Sequence, residues 1–156
     1  MLVTESGQIQ FPSRFSEMSN FVKHAIEDFP GEIQVKLPIE HLELIHEYAV
    51  YHNCEVVRIE GRVSGKKFSE VFKDEWDQSF LKRLRKKIDL SEFILSVVYL
   101  DVAGLLDMLF AFIAWEMTCE MTNEHFDKIK RRFNINAEFT EEEELKIFKL
   151  NPWANM

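Results

Sequence analysis

Cysteine is scarce in this chain: 156 residues contain only Cys54 and Cys119. Two thiols cannot build a disulfide framework, and these two do not fall in a paired metal-ligand spacing. A reducing compartment, cytoplasmic and nuclear, is the expectation. Basic charge is also in short supply. Nineteen Lys and Arg face 27 Asp and Glu, for a formal net charge of −8. That balance argues against a nucleic-acid partner held through phosphate contacts. Glycine is sparse too, with five residues, and none builds a phosphate-cradling loop. Gly61-Arg62-Val63-Ser64-Gly65 is not a nucleophile elbow, because Ser64 lacks glycine at both i−2 and i+2. The histidines are His24, His41, His46, His52 and His125, and they read as ordinary surface residues. His46-Glu47 is followed by His52, which fails the zinc-protease helix spacing. His52 and Cys54 have no second ligand pair nearby, so neither a metal nor a cofactor is expected. No catalytic group emerges, and the chain reads as a non-enzyme. The opening MLVTESGQIQF lacks a cationic region followed by a long apolar stretch, so no signal peptide is expected.

Apolar residues, by contrast, are plentiful. They make up 46% of the chain, with 14 phenylalanines, enough for a sizeable core in one domain, or in one domain with an appended helical unit. Short strands are predicted at Leu2–Thr4 and Gln8–Phe11 around the turn Glu5-Ser6-Gly7. Phe21, Val22, Ala25 and Ile26 form a helical stripe that Pro30-Gly31 ends. Ile33, Val35 and Leu37 alternate as in a third strand. Pro38 suits the first turn of the next helix, with Leu42, Ile45 and Ala49 inward. Val56, Val57 and Ile59 suggest one more strand before the glycines at 61 and 65. From Trp76 onward the pattern is helical. Lys82, Arg83, Arg85, Lys86 and Lys87 give one basic helix face, read as solvated. Lys128, Lys130, Arg131 and Arg132 give a second, with Phe126, Ile129 and Phe133 on the apolar side.

Leu105–Met117 (LLDMLFAFIAWEM) is apolar nearly all round. Extended back to Phe93 it reaches the length of about 20 residues that crosses a membrane. Asp101 and Asp107 would each cost roughly 2.5–3.5 kcal/mol there, and Gly104 reads as a break between two helices. No membrane span is expected. A water-soluble helix with apolar residues on every face must be covered on every face. One side can pack on its own domain; the other calls for a partner or a second copy. An interaction module follows from that argument alone.

The end of the chain repeats the theme. Residues 133–153 read FNINAEFTEEEELKIFKLNPW. Thr140 and Glu143 have capping-box spacing, and Glu141, Glu142 and Glu144 place negative charge at the positive end of the helix dipole. Leu145, Ile147, Phe148 and Leu150 then spread apolar surface over more than one side, before Pro152 stops the helix and Trp153 follows.

Three ordered motifs in this half carry a resemblance. They are Trp76-Asp77-Gln78 with Phe80-Leu81, Tyr99-Leu100-Asp101-Val102 with Gly104-Leu105-Leu106-Asp107, and the terminal set Phe133-Asn134-Ile135, Phe139-Thr140-Glu141 and Asn151-Pro152-Trp153. The chain resembles the Skp-type adaptors, the small subunits that join F-box proteins to a cullin in SCF ubiquitin ligases. Residues 1–55 match in pattern only and residues 56–75 barely match. The resemblance implies an α+β fold, with a BTB/POZ-like domain over 1–101 extended by a helical F-box-binding unit over 102–156. It implies F-box contacts at Ile113, Phe126, Ile129, Phe133, Phe139, Leu145, Phe148 and Trp153. It places Val98 and Tyr99 on the cullin side, where the family usually has Asn before the Tyr. Two other departures stand out. The family's short Gly-Lys-Thr-Pro link is replaced by residues 115–126, without Gly or Pro, and its long acidic loop by the less acidic residues 54–75. The implied partners are F-box proteins and a cullin, with a homodimer when no F-box partner is present. The rival reading is a self-associating structural protein using the same apolar helices; an elongin-C-like adaptor would lack the terminal helices.

Overall fold

Three short strands open the fold of the computed structural model, which describes residues 1–28, 31–61, 63–119, 123–132, 135–136 and 138–151. β1 (Leu2–Thr4) and β2 (Gly7–Ile9) pair antiparallel, with Leu2 opposite Ile9. Thr4 Oγ1 closes the turn by accepting from the amides of Ser6 at 3.2 Å and Gly7 at 3.1 Å. β3 (Ile33–Gln34) lies parallel to β1 on its other side, giving the order β2-β1-β3. β2 starts and stops earlier than predicted, because Phe11 leaves the sheet and turns into the core. β3 is only two residues long, yet the predicted alternation holds: Ile33 and Val35 are buried and Leu37 half-buried.

The remainder is helical. α1 (Phe15–Met18) and α2 (Asn20–Asp28) follow β2, and α3 (Ile39–Tyr51) follows β3. Pro38 stands one residue ahead of α3, at its N-cap, rather than inside the first turn. Then come α4 (Phe68–Val71), α5 (Glu75–Lys87), α6 (Leu90–Leu100), α7 (Ala103–Thr118), α8 (Asn123–Arg132) and α9 (Glu141–Leu150). The short α1 and α4 escape a periodicity reading because four residues span barely one turn. The architecture is mixed α+β, mostly helical with one small sheet. Two compact units divide the chain, Met1–Cys119 and Glu120–Met156.

The core of the first unit is dense with side chains fully withdrawn from water. Phe15, Leu42, Ile45, Tyr48, Phe80, Leu84, Phe93 and Leu109 are among them. Truncating a buried phenylalanine such as Phe93 costs about 3–5 kcal/mol. The core also holds two histidines that the sequence reading places on the surface. His41 is buried, its Nδ1 2.7 Å from Ser96 Oγ and its ring edge-on to Phe93. His52 Nε2 lies 2.9 Å from Asp77 Oδ1, with 9% and 6% of the two side chains exposed. His41 lies on the inner side of α3 and His52 caps its C-terminal end; each polar ring is tolerated there because it has a partner.

Two further expectations are corrected. Val56–Ile59 forms no strand among the described residues. It runs instead against α7 at Gly104. A Cβ on Gly104 would stand 3.1 Å from both Val57 N and Val57 O, and 3.2 Å from the Tyr48 hydroxyl. Gly104 therefore does not break a helix; it lies in the first turn of α7 and lets a backbone approach. The break falls at Asp101, which caps α6 in the left-handed region at φ 49°. No helix among the described residues is long and apolar enough to cross a membrane.

Gly104→Ala would gain about 1 kcal/mol of helix propensity, so a bulkier variant reads the close approach more cleanly. Gly104→Val is expected to cost about 1–3 kcal/mol through overpacking, seen as a lower urea midpoint with unchanged slope. An unaltered midpoint would mean that Val57 can withdraw.

Burial pushes the His41 pKa below the ordinary histidine value. The unfolded chain then binds the proton more readily than the fold does, so stability is present at neutral pH and is lost as pH falls through the ordinary histidine range. The urea midpoint should drop between pH 7.5 and pH 5.5, and drop less in His41→Leu, where Ser96 keeps its bond to the Glu92 carbonyl at 3.2 Å. An equal drop in both proteins would assign the effect to other groups.

Candidate functional site

α6 begins at Asp89, whose carboxylate accepts from Ser91 N at 2.8 Å and Glu92 N at 3.3 Å. Leu90, Phe93, Val97 and Leu100 recur at helical spacing and are buried. The opposite face is left to Leu95, Val98 and Tyr99, exposed by 68%, 48% and 47%. These are i, i+3 and i+4, one continuous apolar strip. The Tyr99 ring rests on Phe21 of α2, with centroids 5.0 Å apart.

The register of α7 against α6 is set at the junction between them. Ser19 Oγ donates to the Leu100 carbonyl and accepts from Val22 N at 3.1 Å. Asn20 Nδ2 donates to Asp101 Oδ2 at 2.8 Å, and Asn20 N to the Asp101 carbonyl at 3.2 Å. From there α7 buries Leu105, Met108, Leu109, Phe112 and Glu116. Phe110 and Met117 are exposed and Ile113 is half-buried, a second apolar strip at i, i+3 and i+7.

In the second unit, Phe126 is exposed and Ile129 half-buried on α8, one turn apart. Lys128 of the second basic cluster pairs with Glu124 at 2.8 Å. The capping box at the start of α9 is formed: Glu143 N donates to Thr140 Oγ1 at 3.4 Å, and Thr140 N to Glu143 Oε2 at 2.9 Å. Bonds from the Thr140 amide and then its hydroxyl hold the Glu143 carboxyl below the usual carboxylate range. α9 has no buried residue at all. Leu145, Ile147, Phe148 and Leu150 are exposed, as is Phe139 just ahead of the helix, at 67%.

The structure thus brings Val98 and Tyr99 together on α6, Phe126 and Ile129 on α8, and Phe139, Leu145 and Phe148 in or beside α9. Ile113 stands on α7. Phe133 and Trp153 lie outside the described residues, as does the predicted stop at Pro152. Leu95, Phe110 and Met117 also belong to the exposed strips and were not singled out in the sequence. The 3.6-residue period was the signal that could have found Leu95, three residues before Val98. The first basic face is partly consumed by the fold. Arg83 pairs with Glu47, Arg85 Nη1 with buried Glu116 Oε1 at 3.0 Å, and Lys82 Nζ sits 5.3 Å from the Phe68 ring centroid. Large apolar side chains held in water on helices that have a buried opposite face are the chemistry of protein association rather than catalysis.

Comparison with known proteins bears on what associates. No family model matches the chain. Curated relatives do. The S-phase kinase-associated protein 1 homolog of Tetrahymena thermophila is 32% identical, aligning 99% of this chain with 92% of that protein. The E3 ubiquitin ligase complex SCF subunit sconC of Aspergillus flavus is 32% identical over 97% of this chain and 93% of its own length. The suppressor of kinetochore protein 1 of Schizosaccharomyces pombe is 31% identical over 99% and 95%. Identity at that level over nearly the full length of each partner in the alignment leaves one assignment: this chain belongs to the family of Skp-type adaptors, the S-phase kinase-associated protein 1 homologues.

Proposed function

We propose that this chain is the adaptor subunit of an SCF cullin–RING ubiquitin ligase, joining an F-box substrate receptor to a cullin in ubiquitin-dependent protein degradation. It catalyses no step itself. The observation that carries the reading is the near full-length likeness to a Skp-type homologue and to a protein named as an SCF subunit. The exposed apolar strips agree with it, because an adaptor must keep two apolar surfaces available for two partners.

Within that reading, residues 1–101 are a BTB/POZ-like domain and residues 102–156 the F-box-binding unit. α7 does both jobs: it packs within the first unit and keeps Ile113 half-buried at the edge of its core. Ile113, Phe126, Ile129, Phe139, Leu145 and Phe148, together with Phe133 and Trp153, receive the F-box. Val98 and Tyr99 meet the cullin. The adaptor works in the cytoplasm and nucleus. Affinity purification with mass spectrometry tests the whole. F-box proteins recovered with a cullin support it; F-box proteins without a cullin place the chain outside the ligase, and neither leaves the self-associating reading.

Deleting residues 139–156 should abolish F-box binding and leave the first unit folded, because α9 contributes no buried residue. Pull-down with an F-box segment and circular dichroism check both halves; undiminished binding or global unfolding refutes the claim. The intact chain alone should dimerise with concentration in light scattering and revert to monomer when the F-box segment is added, since monomers rarely expose apolar patches above a few hundred Å².

Tyr99→Lys should weaken cullin binding roughly thirtyfold, the equivalent of about 2 kcal/mol for an interface aromatic. F-box binding should be unchanged. Val98→Asn restores the family's usual residue and should strengthen cullin binding. Titration calorimetry against a cullin N-terminal domain measures both. No cullin binding by wild type or by Val98→Asn would remove the chain from the ligase.

A further inference from the structure

The side of α7 away from its apolar strip is anchored by the stretch that runs from Gly65 into α4. Gly65 takes φ 77°, a left-handed conformation that residues with a Cβ rarely adopt. The chain turns there, so that the Lys66 carbonyl accepts a bond from the Trp115 indole Nε1–H at 3.1 Å. α4 follows immediately, its start closed by Lys67 N donating to Glu70 Oε2 at 3.0 Å. Its Phe68 ring lies 4.8 Å from Trp115 and 6.0 Å from Phe112. Phe72, fully buried, lies 6.3 Å from Phe112. One residue beyond Trp115, the buried Glu116 carboxylate meets Arg85 of α5 at 3.0 Å. Phe112, Trp115 and Glu116 are i, i+3 and i+4, a single stripe of α7. The other side of the same turns carries Phe110, Ile113 and Met117.

We propose that residues 66–72 are a built-in brace that fixes the last two turns of α7, and with them the Phe110–Ile113–Met117 strip, in the orientation that receives the F-box, with Trp115 as the positioning residue. The proposal rests on the F-box reading of α7. Its physical basis is preorganisation. The last turn of a helix frays unless tertiary contacts hold it. Ordering a frayed turn during association subtracts directly from affinity. The indole bond and the aromatic cluster meet that cost during folding, before the partner arrives. Trp115 acts from the flank away from the strip, through the helix backbone.

The test uses the full chain, an F-box segment from a receptor that co-purifies with it, and a cullin N-terminal domain. Trp115→Phe keeps an aromatic ring and removes the donor; Phe68→Ala opens the cluster from the other side. Both should speed amide hydrogen exchange at residues 112–118 in the unliganded chain. Both should weaken F-box binding, by roughly three- to tenfold for Trp115→Phe, the loss of one net hydrogen bond. Cullin affinity at α6 should not change. F-box affinity at the wild-type value in both variants overturns the brace and leaves the adaptor reading intact. Weakened F-box binding without faster exchange makes Trp115 a direct contact, which overturns positioning. Equal losses for F-box and cullin, with a lower unfolding midpoint, mean general destabilisation and also overturn it. Failure of the wild-type chain to bind any F-box segment overturns the adaptor reading itself, and that result needs no variant.

Discussion

The fold turns on the joint between α6 and α7. Asp101 reverses the chain in a left-handed conformation, which costs a residue with a Cβ on the order of 1 kcal/mol. The joint is held from outside by the start of α2, where Ser19 bonds the Leu100 carbonyl and Asn20 bonds Asp101 through backbone and side chain. Because the buried faces of α6 and α7 are fixed by that joint, so are their exposed faces. Leu95, Val98 and Tyr99 come out on one helix and Phe110, Ile113 and Met117 on the other. Both strips therefore depend on a hydroxyl and an amide some eighty residues earlier in the chain.

Polar groups inside the first unit have a comparable role. His41 with Ser96 ties α3 to α6, and His52 with Asp77 ties it to α5. Each pair is at least partly buried and hydrogen-bonded, so each adds specificity of arrangement. Arg83–Glu47 links α5 to α3, and Arg85–Glu116 links it to α7. The exposed pairs contribute little energy, about 0–1 kcal/mol each; Glu116 matters more because its carboxylate is 7% exposed. Apolar burial supplies the driving force, and these polar links select one packing of it.

The second unit is built on a different balance. α9 has a complete capping box, an acidic first turn and a lysine in the last, so its helicity is encoded locally. It buries no residue. A ten-residue helix is marginal in water without tertiary support, so the caps and the charges at its two ends carry its local stability while Leu145, Phe148 and Leu150 stay exposed.

Much of this was legible in one dimension. Period-2 alternation marked Ile33, Val35 and Leu37, Thr140 and Glu143 announced a capping box, and the all-round apolar α7 announced a need for cover, because each signal depends only on neighbours within a turn or two. Three ordered motifs placed the chain in its family. What the sequence could not reveal were relations between distant residues. Gly104 looked like a helix break, since nothing nearby shows that the Val57 backbone approaches it. His41 and His52 looked like surface histidines, since Ser96 and Asp77 lie far along the chain. Val56–Ile59 looked like a strand, since β-branched residues set an extended backbone but not the neighbour that would pair with it. Local propensity and periodicity thus determined which segments are helical and which residues are apolar on each face. Only the tertiary structure decided which of those faces the fold covers and which it leaves exposed, because burial is a property of what packs alongside.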